Sequence, residues 1–563
     1  MKPILSTITN LDLVSYLPPK AQYLVELGCA DGSLGDQFKE LNPKARYVGF
    51  EHQTELVAQA STKLDQVWCL PATEIDLDRQ GLHQKIDCLI IHTAWLDQTT
   101  WPETLQKLLP HVADDAPILF VLENPVYIRK FLTNLQGQAT KTSFPLNALL
   151  AELTKQKLSF DLILAEQSPT DEALRQSQAF GQFLNALKNF CAAQSLNVNT
   201  NIFAKRFLVR ASKNQNIQRL LLQTVVGEQL TARVRLGEPN TFLATTPGFD
   251  YQESFRTEQV PMDPSNDQKV IILQRLLFRD SPGAKPFFDT IRQHNYLLVY
   301  EIDDNPHIWE EAFTLSRNLE FLGSHAVQVS TKPLVEYIKQ FNPHVLYFQN
   351  HLRALPKPRV YDQDKPVTIF FGALNRKDDW KVILDPLNSV LKNFGPKVHV
   401  EVVWDEEFFK AIQTEHKTFL GPGNNLLVPY PDYARILHKS DIALLPLRDT
   451  PINRMKSDLK FIEAGGHGAV VLASPTVYAE TVRHGSTGFI YRNNKEFVDI
   501  LCTLITKPER RYEIADNAYN YVRKYRLLSD HYEERLLAYT DLLKQLPALN
   551  AEVNTRMQSW PGK

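Results

Sequence analysis

Short apolar runs, each too brief for a helix, recur along this chain between longer segments of mixed polarity. The clearest are YLVEL, RYVGF, IDCLII, PILFVL, KVIILQ, YLLVYEI, HAVQVS, VTIFFG, VHVEVVW, IALLPL and AVVLAS. A run that is apolar at consecutive positions has no solvent face, so it belongs in a sheet covered on both sides. Buried strands alternating with helices give parallel, doubly wound α/β units. At 563 residues the chain holds three or four units of that size. Two stretches interrupt the alternation: the polar ASKNQN at 211–216 and LPKPRVYDQDKP at 355–366, rich in proline and charge. The expected units are 1–212, 217–360 and 366–545, the last two forming a pair. Long amphipathic helices, ERRYEIADNAYNYVRKY and HYEERLLAYTDLLKQL, close the third and are expected to brace the pair.

Charge removes several function classes. The chain carries 62 basic and 64 acidic residues, a net charge of −2. That balance gives no electrostatic case for nucleic acid or an anionic membrane. Five cysteines, at 29, 69, 88, 191 and 502, form no CxxC pair, which argues against a disulfide framework or zinc site and for a reducing compartment. The start, MKPILSTITNLDLVSYLPPK, is too polar and broken for a signal peptide. No stretch approaches the roughly 20 apolar residues that span a bilayer. The expectation is a cytoplasmic protein without a membrane span, a metal or a nucleic-acid partner.

Residues 23–35 read YLVELGCADGSLG: a strand ending in a turn that opens a helix. Ligands of open parallel sheets sit beyond the carboxyl ends of the strands, where this turn lies. Gly28 and Gly32 let the backbone approach a ligand closely, and Gly35 eases packing of the following helix. The next strand ends in Glu51, nineteen residues after Gly32. A carboxylate there can accept two hydrogen bonds from a ribose diol. With the acid after YVGF, the strand KIDCLII and PILFVLENPVYIRKFL, this region resembles the S-adenosylmethionine-dependent methyltransferases of the Rossmann-like class. The resemblance covers about 20–210 and is to the kind attached to polysaccharide biosynthesis enzymes. It implies S-adenosylmethionine as cofactor, with Glu26, Gly28 and Gly32 at its methionine end and Glu51 on its ribose. Cys29 joins this cofactor-binding set. It and His92 read as packing or lining residues rather than catalysts. At the adenine position the chain has LPATEID, leaving Thr73 and Glu74 both open. Where relatives show an acid-Leu-Glu-His pattern after the fourth strand, this chain has HTAWLDQ.

The densest set of unusual residues comes late, at 441–490. A buried strand ends at Pro446, and a loop follows with Asn453, Arg454, Lys456 and Ser457. DLKFIEAGGHG then reads as a helix ending in glycines. Lys456, Lys460 and Glu463 are spaced by four and three, so they share a face of that helix or of the turn into it. Cations and hydroxyls there suit a diphosphate, with the carboxylate deeper for a ribose. This stretch resembles the nucleotide-sugar half of GT-B glycosyltransferases, the retaining family-four type, over roughly 230–545. By that resemblance Glu463 is the ribose glutamate, and Lys456 and Ser457 belong to the phosphate-side loop. The family's second glutamate, eight residues earlier, is Met455 here, so Asn453 or the Lys456 region takes over contacts to the donor sugar. In VTIFFGALNRKDDW, Gly372 and Ala373 end a strand and Arg376 and Lys377 follow, the stretch that in relatives surrounds the diphosphate. Upstream, YLLVYEIDDNPHIW ends in Asp303 and Asp304, facing the cleft by the same resemblance. Those two acids also fit a cap for a helix starting near Pro306. Ser330 and Thr331 read as caps for the helix after HAVQVS, and Asn350 as the end of the last strand of that half.

The implied fold class is α/β: an N-terminal Rossmann-like methyltransferase fold followed by a GT-B fold of two Rossmann-like halves. The implied function is transfer of a sugar from a nucleotide-sugar donor to a glycan, a lipid-linked glycan or a protein. Arg376, Lys377 and Lys456 stabilise the leaving diphosphate. Lys460, Gly372, Ala373, Asn453, Ser457 and Glu463 bind the donor. Asp303 or Asp304 orients the acceptor hydroxyl, or acts as its base if the reaction inverts. Two other readings fit the same residues: a methyltransferase whose C-terminal half binds glycans, and a non-catalytic scaffold.

Overall fold

The computed structural model describes residues 3–96, 99–136, 145–193, 202–257, 261–421, 428–558 and 560. Asp97 and Gln98, which end HTAWLDQ, lie outside these. The chain divides into two compact units, one of residues 1–220 with 241–251 and one of 221–240 with 252–563.

The first unit is built on one eight-stranded sheet. Its strands are Ile4–Ile8 (β1), Tyr23–Leu27 (β2), Arg46–Glu51 (β3), Gln66–Cys69 (β4), Cys88–His92 (β5), Ile118–Glu123 (β6), Ser159–Gln167 (β7) and Ala204–Ser212 (β8). Their order is β1-β7-β8-β6-β5-β2-β3-β4. Five of its pairings are parallel, β1 with β7 and the run β6-β5-β2-β3-β4, and β8 alone inserts antiparallel between β6 and β7. That reversed strand departs from the all-parallel expectation. From β2 the chain winds outward to β3 and β4, then returns to β5 and β6 on the other side. The switch point therefore falls between β2 and β5, which pair with Leu27 opposite Ile91. All five residues of β2 are buried, Glu26 among them. Gly35 is required by packing: a Cβ there would lie 2.3 Å from Leu64 and 2.8 Å from the Tyr47 ring.

The second unit contains two Rossmann-like halves, the architecture of the GT-B class. In the first, Leu220–Val226 (β9), Phe249–Ser254 (β10), Gln268–Gln274 (β11), Leu297–Ile302 (β12), Ala326–Val329 (β13) and Val345–Tyr347 (β14) order as β10-β9-β11-β12-β13-β14. In the second, Val367–Gly372 (β15), Val398–Val403 (β16), Lys417–Leu420 (β17), Ile442–Leu445 (β18), Val470–Ala473 (β19) and Phe489–Ile490 (β20) order as β17-β16-β15-β18-β19-β20, all parallel. Its switch point lies between β15 and β18. Runs such as VTIFFG and AVVLAS become central strands because no residue in them needs water.

The chain crosses between the halves twice. It passes first through 348–355 and returns through 526–531. There Leu352 N–H donates to Arg526 O at 2.8 Å, and Leu528 N–H to Leu352 O at 2.9 Å. The returning helices Glu533–Lys544 and Leu546–Gln558 then lie on the first half. Val553 and Met557 enter that half's core, each worth about 1.5–3 kcal/mol if fully buried. Arg556 donates to Ser324 O at 2.7 Å. Among the described residues no helix is long and apolar enough to cross a membrane.

Candidate functional site

Between the two halves of the second unit lies a cavity of about 510 Å³. Its floor is the switch point of the second sheet: Gly372 and Ala373 at the end of β15, Leu445 and Pro446 at the end of β18. Gly372 cannot carry a side chain, since a Cβ would stand 2.4 Å from the Phe370 ring and 2.8 Å from Tyr433. Arg376 stands at the N-terminus of the 18-residue helix Lys377–Phe394, where the helix dipole adds positive potential. Its guanidinium lies 3.4 Å from Asp379 and 3.4 Å from Asn453 Oδ1. Lys377 turns elsewhere. Its ammonium pairs with Glu407 at 2.6 Å, and it does not line the cavity.

The helix Leu459–Gly466 and the turn before it carry the late cluster. It ends in two glycines, as the sequence implies. Glu463 is 3% exposed and accepts a hydrogen bond from the Tyr433 hydroxyl at 3.2 Å. Burial, and then the nearby Glu463 carboxylate, push that hydroxyl well above its ordinary pKa, so it stays a donor. Lys460 donates to the same hydroxyl at 2.9 Å and lies 3.3 Å from Glu463. The Tyr433 ring stacks on Trp404, with centroids 5.1 Å apart, and Lys460 sits over both rings. Asn453 is buried and does not line the cavity. Its amide holds the loop by donating to Asp379 at 3.0 Å and to Arg448 O at 3.0 Å. Ser457 lines the cavity and accepts from Asn350 Nδ2 at 2.9 Å.

Two groups meet across the halves. Lys456 lies 2.8 and 3.0 Å from the two oxygens of Asp304. Burial draws the Lys456 pKa below the ordinary lysine value, with Asp304 acting in the opposite direction. Arg233 lies 3.8 Å from Glu463 and stands 3.5 Å above the Tyr430 ring. Asp303 is held on its own half by Arg275, at 2.6 Å. Neither aspartate caps the helix near Pro306. That role falls to Asn305, whose side chain accepts from His307 N–H at 2.9 Å and donates to Pro451 O at 3.2 Å. Thr331 precedes the helix Lys332–Ile338 but gives its hydroxyl to Met455 O at 3.0 Å. Met455 itself packs against the core of the first half, an apolar duty that a glutamate could not serve. Asn350 lies three residues beyond the end of β14.

Sequence reasoning did not single out the three arginines of the first half that line this cavity, Arg233, Arg235 and Arg275. Arg233 and Arg235 sit in one turn of π-helix, Arg233–Gly237. Arg235 pairs with buried Glu301 at 2.7 Å and donates to Asn350 Oδ1 at 2.8 Å. The signal was two arginines at alternate positions inside the apolar TARVRLG, since buried arginine requires a partner.

In the first unit, the Gly28–Gly32 turn follows β2 at its switch point. Both glycines are left-handed, with φ of +81° and +77°. Glu51 is buried at the end of β3, and its carboxylate accepts from Ala30 N–H at 3.2 Å and His52 N–H at 2.8 Å, tying the turn to that strand. Glu26 is 2% exposed and accepts from the Tyr47 hydroxyl at 2.9 Å, with His92 Nε2 at 2.8 Å. Cys29 is buried, and burial raises its thiol far above the ordinary range. Among the described residues no group of three or more His, Cys, Asp or Glu side chains is arranged to hold a metal ion.

Residues 382–539 match the family model described as glycosyl transferase-like. No curated protein matches the chain. Among solved structures, HepE of Anabaena, in complex with UDP and glucose, is 14% identical, with a TM-score of 0.40, over 58% of this chain and 100% of its own. TarM is 13% identical, with a TM-score of 0.37, over 48% of this chain, which spans 54% of TarM. The plantazolicin methyltransferase BpumL, in complex with S-adenosylhomocysteine, is 15% identical, with a TM-score of 0.25, over 36% of this chain and 82% of its own. Behind an N-terminal unit built on its own eight-stranded sheet, this chain thus carries a pair of Rossmann-like halves whose residues 382–539 match the glycosyl transferase-like family model.

Proposed function

We propose that this protein is a cytoplasmic glycosyltransferase that moves a sugar from a nucleotide-sugar donor to a glycan, lipid-linked glycan or protein acceptor. In this reading its domains are 1–212, 217–360 and 366–545, and the first binds S-adenosylmethionine. The observation that carries it is the meeting of Arg376, Lys456, Lys460 and Glu463 in one cavity at a sheet switch point.

A departing nucleoside diphosphate needs cations already in place, because preorganised charge costs no rearrangement as the bond breaks. Arg376 and Lys456 supply it, aided by the start of helix Lys377–Phe394. Lys377, paired outward with Glu407, has no part in this. Glu463, buried and fixed by Tyr433 and Lys460, accepts from the ribose hydroxyls. The Trp404–Tyr433 stack gives an apolar wall to the same pocket. Asp304 leaves Lys456 when the diphosphate arrives and turns to the acceptor hydroxyl. Asp303, locked to Arg275, keeps that wall of the cleft in place. A retaining reaction needs no enzymatic nucleophile, and the leaving phosphate takes the acceptor's proton.

S-adenosylmethionine fits the first unit on one structural ground. The turn after β2 is glycine at both left-handed positions, 28 and 32, and leaves backbone rather than side chain at the strand end, with Trp95 packed so closely that a Cβ on Gly28 would lie 2.8 Å from it. Gly28 and Gly32 would hold the group and Glu51 would fix the turn, and the group supplies an electrophilic methyl. Thermal-shift measurement with UDP-, GDP- and dTDP-sugars and S-adenosylmethionine tests both sites, because a bound ligand raises stability by mass action. One nucleotide sugar should stabilise the wild-type chain and neither Glu463→Ala nor Lys456→Ala. Equal stabilisation of all three would remove the site assignment.

A further inference from the structure

We propose that His92 is the proton acceptor of a methyl-transfer site in the first unit, held in position by Glu26. This rests on the reading of that unit as a binder of S-adenosylmethionine. His92 ends β5 and Gly28 follows β2, the two strands that flank the switch point. The crevice beyond those strand ends is where an open sheet places its ligand. A Cβ on Gly28 would come 3.2 Å from His92 Cβ and 2.8 Å from Trp95 Cβ, so the base of the His92 side chain and Trp95 both pack against the glycine turn.

The hydrogen bonds set the roles. Glu26, 2% exposed, accepts from the Tyr47 hydroxyl and from His92 Nε2. The carboxylate has no use for a second lone pair, so Nε2 carries the hydrogen and Nδ1 the lone pair. The His92 side chain is 26% exposed, and Nδ1 has no hydrogen bond among the described residues. A buried carboxylate behind a partly exposed imidazole is the arrangement that fixes a base and stabilises its protonated form. Glu26 is therefore a positioning residue. With both oxygens engaged by its own unit, it stands behind the crevice rather than on the methionine end of the cofactor.

The acceptor is thereby limited to groups that must lose a proton on alkylation, such as a glycan hydroxyl. Its oxygen forms the new bond to the methyl carbon. The carbon–sulfur electron pair stays on sulfur, leaving neutral S-adenosylhomocysteine, and the hydroxyl proton passes to Nδ1 of His92. A carboxylate acceptor would have no need of this dyad.

The test uses charge and no acceptor. S-adenosylmethionine is a sulfonium cation and S-adenosylhomocysteine is not, so a protonated His92 repels only the first. Calorimetry on the full chain should show the ratio of their dissociation constants rising about tenfold from pH 8 to pH 5. The neighbouring titratable groups are Glu26, Tyr47, Cys29, Glu51 and His52. His52→Gln should keep the rise, and His92→Gln should flatten it. Binding of S-adenosylhomocysteine by His92→Gln shows that the variant is folded. In the wild-type chain, diethyl pyrocarbonate should modify His92 and S-adenosylhomocysteine should slow that modification. A ratio that rises equally in His92→Gln, or modification that the ligand does not slow, overturns the base assignment alone. A wild-type chain that binds neither ligand overturns the cofactor reading and the assignment with it.

Discussion

The chain presents two sheet switch points, one beyond β2 and β5 and one beyond β15 and β18, and their acids are used in opposite ways. In the first unit, Glu26 and Glu51 are spent on their own fold: one is taken by Tyr47 and His92, the other by backbone N–H groups of the adjacent turns. In the second, Glu463 and Asp304 line an open cavity and face cations borne by the opposite half. Similar sheets can thus carry carboxylates that tie down their own turns in one unit and carboxylates that face a cavity in the other. The loops decide which, and sheet topology alone does not.

The sharpest way to break this contrast is Lys456→Ala. Removing a preorganised cation from the leaving group should lower the rate of sugar transfer by about 10²–10³-fold, read as release of nucleoside diphosphate. S-adenosylmethionine affinity should not change. Next comes Glu463→Gln, which removes a charged hydrogen-bond acceptor and should weaken nucleotide binding by about 10–100-fold in calorimetry. Gly28→Val makes the reciprocal cut. Its side chain would strike Trp95 at a φ of +81°, costing about 1–3 kcal/mol and abolishing S-adenosylmethionine binding. Nucleotide binding should survive, and its loss would mean that the two sites are not independent.

A pH profile sharpens the role of Lys456. In the proposed reaction the diphosphate binds the protonated amine, and burial lowers that group's pKa. Nucleotide affinity should therefore be full at neutral pH and fall as pH rises, beginning below the ordinary lysine value of about 10.4. Asp304→Asn removes the partner that favours the charged amine, so the fall should move to lower pH. The smallest effect is expected from Tyr433→Phe, which removes one hydrogen bond from Glu463 and should cost about 1 kcal/mol of nucleotide affinity.

What could be read in advance follows from how far each feature reaches along the chain. YLVEL, VTIFFG and AVVLAS declared themselves as buried strands, because consecutive apolar residues leave few alternatives. The helix with Lys460 and Glu463 was legible because helical spacing brings near neighbours onto one face. The Lys456–Asp304 pair spans 152 residues and Arg235–Glu301 spans 66, and no local pattern records such meetings. Asp303 and Asp304 could not be separated in the sequence. The structure gives one to Arg275 and the other to Lys456, a choice made by tertiary packing. Lys377 and Arg376 are adjacent in sequence, yet only the second lines the cavity, since successive residues at a helix start point in different directions.

The paired backbone at Leu352 and Leu527 ties together the two halves of the second unit. Any swing of one lobe against the other must bend both chain crossings together. The tail helix closing on the opposite lobe adds a further condition: neither lobe can be cut out at residue 366 and keep its own interior filled. Val553 and Met557 would be lost from the first, and a domain-by-domain dissection should yield an insoluble fragment where the intact unit is sound.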